Sequence, residues 1–190
     1  MDKGRMEAFS DGVIAIIITI MVLEMKAPRG TDLAALAPVL PSFLSYIMSF
    51  AYLAIYWNNH HHLLKAAHQV DGRVLWANIL LLFWLSLIPF TTAWMGENSF
   101  ARIPVILYGI DLLCAAVSYY VLVRALLDRH GKDSLLAKAI GNDFKGKISM
   151  FLYVAAIWLS FLHPLLACGL YAFVAVMWII PDQRIEKVLK

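Results

Sequence analysis

The sequence predicts an all-α membrane protein with six transmembrane helices. Three observations carry that prediction. Of the 190 residues, 62% are apolar and only 15% are charged; soluble domains run at roughly 45–50% and about 25%. Mean hydropathy is +0.73. The apolar residues fall in six separated runs, near 6–25, 36–57, 74–95, 103–123, 148–162 and 164–180. A soluble domain this short still exposes roughly a third of its unfolded area, so one core cannot hide that much apolar surface. Six spans of about 20 residues take about 120 residues and leave no room for an added soluble catalytic domain. The same composition excludes a disordered chain.

The first run follows Lys3 and Arg5, as a signal peptide would. Glu7 and Asp11 interrupt its approach, and Glu24-Met-Lys26 stands where small residues should precede a cleavage site. It reads as a retained first helix, closed by the turn signal Ala27-Pro-Arg-Gly30. The second run is predicted to continue as helix through Asn58, three histidines and Lys65. The third begins after Asp71-Gly-Arg73 and carries Pro89 late, which a membrane helix tolerates when neighbours satisfy the freed carbonyl. Gly96-Glu-Asn-Ser99 joins it to the fourth. His163-Pro164 makes a tight hairpin of the last two. In the longest polar stretch, 124–147, residues Ser134–Ile140 are expected to form a short surface helix. Cys114 and Cys168 both lie in apolar runs and define no disulfide framework.

Six spans put both chain ends on one side. Of the 16 lysines and arginines, thirteen fall on that side; only Lys26, Arg29 and Arg102 fall on the other. The positive-inside rule then predicts cytoplasmic termini. The basic residues are spread over several loops, so no nucleic-acid partner is expected.

The first helix stands apart. Its uncharged run, Gly12 to Leu23, has twelve residues between Asp11 and Glu24. That is about 18 Å, against roughly 30 Å of hydrocarbon. Charges at membrane depth usually face protein or water, so this short waist suggests the wall of a pore. Positions i, i+4 and i+7 share a helix face. That face carries Ile16, Ile20 and Leu23, with Thr19 beside it. Around an axis of four copies, such residues stack into apolar rings that can gate by dewetting. One such helix cannot enclose a path alone, so the mechanism implies an oligomer.

Arg5-Met-Glu-Ala-Phe9-Ser10-Asp11 carries an arginine, a three-residue gap and Phe-Ser-Asp. Trp57-Asn-Asn-His60-His61 supplies a Trp-x-x-His element. Together with the first helix and the six-span layout, these resemble the transmembrane protein 175 family of potassium channels, in its prokaryotic single-unit form. The resemblance implies a homotetramer in a prokaryotic cell membrane, passing potassium and other monovalent cations among membrane lipid, with no cofactor. It implies a constriction at Ile16, continued by Ile20 and Leu23, and an influence of Thr19 on ion preference. It also implies a polar network of Arg5, Ser10 and Asp11 with Trp57, His60 and His61, next to Phe9. No Thr-Val-Gly-Tyr-Gly filter loop is present, so potassium preference is expected to be modest.

Other constellations point elsewhere less well. His60, His61, His62 and His68 invite a metal reading, yet consecutive helical residues point about 100° apart. Only His61 and His68 share a face, at a spacing too long for a chelating pair. Gly141-Asn-Asp-Phe-Lys-Gly146-Lys147 matches the start of a phosphate loop, but Ile148 follows and no strand precedes. Asp111 is an intramembrane acid; packing against a neighbour such as Asn78 is the expectation. Trp94, Tyr108, Trp158 and Trp178 read as interface anchors or packing groups. No acyl, phosphoryl or redox constellation supports an enzyme. A secondary transporter with protonatable Asp11, Asp111 and histidines is the alternative, although inverted repeats and broken helices are not evident.

Overall fold

In the computed structural model the structure describes residues 2–67, 69–131, 134–141 and 143–179. Its helices are α1 (Lys3–Leu23), a 3-10 helix (Leu33–Val39), α2 (Leu40–Ala66), α3 (Gly72–Glu97), α4 (Arg102–His130), α5 (Leu135–Ile140), α6 (Phe144–Leu162) and α7 (Pro164–Ile179). Five helices are long and apolar enough to cross a membrane; the described part of α7 has 16 residues. His68, much of the polar stretch's lysine content, and Arg184, Lys187 and Lys190 lie outside the described residues or side chains.

Capping explains where the helices begin. The Asp2 carboxylate accepts from the Gly4 amide at 3.1 Å. Asp71 accepts from Arg73 and Val74, both at 3.0 Å, and the Val74 amide, with that of Arg73, holds this carboxyl below its usual range. Ser134 caps α5, and Asp143 caps α6.

Several boundaries differ from the sequence expectation. The first helix starts at Lys3 rather than near residue 6, so its 21 residues span about 32 Å, long enough to cross a membrane. The second begins at Leu40, after a 3-10 helix, rather than near 36. The fourth runs to His130 rather than 123, because Leu126 is a fully buried core residue one turn further on. The fifth span starts at Phe144 rather than 148, where the Asp143 cap sets its first turn. The extension of α2 through the histidines, the short helix after Ser134 and the hairpin at His163-Pro164 are as expected.

The α3–α4 pair forms the centre. Helices α1 and α2 pack on α3, while α6 and α7 close over α4. Lipid offers helices little hydrophobic reason to associate, so small residues and interhelical hydrogen bonds hold such bundles. Gly96 lets α3 approach Ser42 and Ser45 of α2, and Gly109 lies directly under the Tyr171 hydroxyl of α7. That hydroxyl donates to the Val105 carbonyl at 3.3 Å, and Tyr52 donates to the Tyr171 carbonyl at 2.7 Å. Tyr108 is core rather than an interface anchor, whereas Trp158 is exposed.

The basic ends gather at one end of the bundle. Lys3 meets the end of α2, and Arg129 and His130 meet Gln69 in the α2–α3 connection. Trp178 of α7 bonds Ser149 near the start of α6. At the opposite end Lys26 pairs with Glu97 at 2.7 Å.

A methyl group at Gly109 collides with Tyr171, whereas one at Gly169 meets nothing within contact range. Gly109→Ala is expected to destabilise the fold by about 1–3 kcal/mol, and Gly169→Ala to leave it unchanged. Thermal melts of the detergent-solubilised protein check this; equal melting temperatures for the two variants would contradict the packing described.

Candidate functional site

Helix α1 has two faces of different fate. Met6, Ser10, Ile14, Ile17 and Met21 are buried against α2 and α3. Phe9, Gly12, Ile16, Thr19, Ile20 and Leu23 form an exposed stripe that none of the described residues covers. Ile16 is 58% exposed, Ile20 39% and Leu23 82%. The apolar residues singled out by spacing therefore share one uncovered face. Thr19 lies on it too, its hydroxyl donating to the Ile16 carbonyl of its own helix at 2.8 Å.

The buried face is polar in its first half. The Ser10 hydroxyl donates to the Met6 carbonyl at 2.8 Å and accepts from the Asn78 amide of α3 at 2.9 Å. Asn78 Oδ1 lies 2.7 Å from His60 Nε2 of α2. Since Asn78 gives its amide protons to Ser10, its oxygen must accept, so His60 carries its proton on Nε2. All three residues are almost fully buried. One directional chain thus ties α1, α2 and α3 together.

A second set of contacts runs along the α1–α2 seam. Trp57 Nε1 donates to Asp11 Oδ1 at 3.0 Å. His61 Nδ1 lies 3.2 Å from Glu7 Oε1 and its ring stacks on Trp57. Lys3 Nζ donates to the Leu64 and Ala67 carbonyls at 2.9 and 3.0 Å. On α1 these groups are four residues apart: Lys3, Glu7, Asp11. On α2 their partners step back about a turn at a time, from Leu64 near the helix end to His61 to Trp57. One contact per turn on each helix makes a ladder.

The structure thus brings Ser10 together with His60, and Asp11 with Trp57. His61 joins through Glu7 and not through Asp11. Arg5 stands apart: it is exposed and makes no hydrogen bond or ion pair among the described residues. It lies two positions from both Lys3 and Glu7, about 200° around the helix, and so points away from the seam. Lys3, Glu7 and Asn78 were missed by the sequence reasoning. The i, i+4, i+8 spacing of Lys3, Glu7 and Asp11 was the available signal for the first two.

Asp111 is not a partner of Asn78. The Thr91 hydroxyl donates to its Oδ2 at 3.0 Å, and its Oδ1 has no partner among the described residues. Thirteen residues separate Asn78 from Thr91 on α3, about 20 Å along the axis, so no side chain bridges them. Asp111 joins the scaffold beside a second buried cluster. There Ser49 lies 2.6 Å from Thr92 and donates to the Tyr108 hydroxyl at 3.0 Å. Among the described residues no group of three or more His, Cys, Asp or Glu is arranged to hold a metal.

Comparison with known proteins sets this geometry in context. Residues 5–89, which contain α1, α2 and most of α3, match the family model described as "Endosomal/lysosomal potassium channel TMEM175". The chain is 54% identical over its whole length to "Potassium channel HX13_20290" of Chryseobacterium sp. (strain P1-3), covering 99% of that protein. The crystal structure of "a lysosomal potassium-selective channel TMEM175 homolog from Chamaesiphon Minutus" superposes with a TM-score of 0.83 at 32% identity, over 95% of this chain and 97% of that one. The mouse protein named "Endosomal/lysosomal proton channel TMEM175" is 34% identical over 55% of this chain, which corresponds to 23% of that longer protein. With the shared fold, the Phe9-Ser10-Asp11 segment and full-length identity to a bacterial relative, the chain belongs to the TMEM175 family of multi-span membrane channels.

Proposed function

We propose that the chain is one subunit of a potassium-permeable cation channel, and that the uncovered face of α1 lines its ion path in a homotetramer. The observation that carries this reading is the division of α1: one face is bonded to its own chain, and the other leaves Ile16, Thr19, Ile20 and Leu23 uncovered among the described residues. Four copies placed with these stripes inward would enclose a narrow apolar waist. Such a waist passes ions when wetted and stops them when it dries. Ile16, Ile20 and Leu23 form the constriction, and Thr19 biases which cation passes.

The names of the bacterial relatives, as potassium channels, support potassium as the ion. Ser10 and Asp11, with Trp57, His60 and His61, hold α1 in place at the entrance, where Arg5 and Phe9 are exposed, without coordinating the ion in the waist. The clustering of basic residues at the end that carries Lys3 supports cytoplasmic termini in a prokaryotic plasma membrane. No cofactor is needed, since conduction is passive and potassium and other monovalent cations move down their gradients. A proton-coupled carrier is less well supported: Asp111 is bonded to Thr91 inside the scaffold, away from the α1 stripe.

Reconstitution in liposomes with a potassium gradient tests the reading. Electrically driven flux that needs no co-substrate is expected, and Ile16→Asn should raise it several-fold by wetting the waist. Flux and ion preference unchanged by that substitution would sink the pore assignment, and a fixed proton-to-solute ratio would favour the carrier. Chemical cross-linking of the purified protein should stop at four subunits; a ladder ending at two contradicts the tetramer.

The network carries its own expectation. Asn78→Leu strands the Ser10 hydroxyl and the His60 ring in a dry interior, which should lower stability by about 1–3 kcal/mol. A thermal melt indistinguishable from the unsubstituted protein would show that the chain from Ser10 to His60 does not hold the helices.

A further inference from the structure

We infer that Lys3 is a positioning residue for conduction: by capping the end of α2 with its ammonium group, it holds the first half of α1 back from the channel axis. The inference rests on the proposed pore face of α1.

The last carbonyls of a helix lack intrahelical partners and carry the negative end of its dipole. Leu64 and Ala67, at the end of α2, are fully buried, so water does not serve their carbonyls. Lys3 Nζ donates to both, at 2.9 and 3.0 Å, from 61 and 64 residues away in sequence. The charge matches the dipole: the Leu64 carbonyl takes the ammonium as a second donor beside the Ala67 amide at 3.0 Å, and the Ala67 carbonyl takes it beyond the last turn.

Position along α1 gives this contact its leverage. Lys3 is the first residue of the helix and the terminal rung of the ladder that continues through Glu7–His61 and Asp11–Trp57. Beyond Asp11 the bound face of α1 is Ile14, Ile17 and Met21, which make no directional bond. Between the two stretches lies Gly12, where an added Cβ would meet nothing. The polar half of α1 is therefore held by directional bonds and the apolar half by packing alone. The stripe facing the axis is apolar, so four freed helices would gain by closing on one another and expelling water. The terminal rung opposes that closure. Lys3 does this without touching the ion, seven residues before Ser10 and thirteen before Ile16.

Single-channel recording of the full chain in planar bilayers, with potassium on both sides, tests this. Lys3→Met is expected to lower open probability about ten-fold, the size of one charge-assisted hydrogen bond, with unitary conductance and reversal potential unchanged. Lys3→Arg, which keeps the charge and several donors, should restore the unsubstituted behaviour. Open probability unchanged in the Met variant overturns the inference. So does a Met variant with altered unitary conductance, or an Arg variant that gates like the Met variant. If the Met variant does not assemble, Lys3→Gln takes its place; it keeps one donor without the charge, and a smaller fall in open probability is expected. Normal gating by that variant overturns the inference equally. Ile16→Asn in the same bilayers reads the pore assignment separately: if it changes neither conductance nor selectivity, the pore reading has failed rather than the role of Lys3.

Discussion

The rotation of α1 about its own axis is the constraint on which the rest depends. In a hydrocarbon surrounding, a polar group without a partner costs several kcal/mol, so each one must find a specific address. Ser10 has its address on Asn78, Asp11 on Trp57, Glu7 on His61 and Lys3 on the end of α2. A turn by one residue, about 100°, would break all four contacts together. With the rotation fixed this way, the uncovered stripe has no freedom either: Ile16, Ile20 and Leu23 face outward because Ser10, Ile14, Ile17 and Met21 face inward. Polar residues that never reach the uncovered stripe decide which residues form it.

The two ends of the bundle solve the burial problem with different helices. Near the basic end the buried hydrogen bonds run from α1 to α2 and α3, through Ser10, Asn78 and His60. About 20 Å further along α3, they run among α2, α3 and α4 instead, through Ser49, Thr92, Tyr108, Thr91 and Asp111. Helix α1 takes no part in that second cluster. Its far half is held only by shape, and by the exposed Lys26–Glu97 pair just past its end. Surface ion pairs contribute at most about 1 kcal/mol. The scaffold is therefore stiff throughout, whereas α1 is bonded firmly at one end and loosely at the other, as a helix that must shift to open a path would be.

The six-run architecture was legible because membrane helices advertise themselves by composition, and the α1 stripe because its spacing is helical. Helix ends were less legible. Lys3 and the 124–130 segment fall outside the apolar runs and read as connection, yet they are helical because caps and tertiary contacts decide where a helix stops. The partner of Asn78 was misread for a related reason. Sequence places Asn78 and Asp111 in adjacent spans but does not give their depths, and helical rise separates them by about 20 Å. The resemblance places Arg5 with Asp11 in the polar network, yet a six-residue spacing sets them about 120° apart on the helix, and only Asp11 reaches Trp57.

The state of the Thr19 hydroxyl bears on why such a waist would admit cations. Its proton is directed at the Ile16 carbonyl, one turn back on the same helix. A hydroxyl has one donor and two acceptor lone pairs, so with the donor engaged, only acceptor capacity remains toward the uncovered side. A ring of such oxygens offers a partial substitute for hydration to a cation and nothing comparable to an anion. It is flanked by Ile16 and Ile20, whose side chains offer neither. One ring of hydroxyls supplies far fewer ligands than a ladder of backbone carbonyls, so it can distinguish charge sign strongly and ion size only weakly. In the proposed tetramer, preference for cations over anions would follow from the rotamer of Thr19, while preference among cations would depend on how closely four Ile16 residues approach one another.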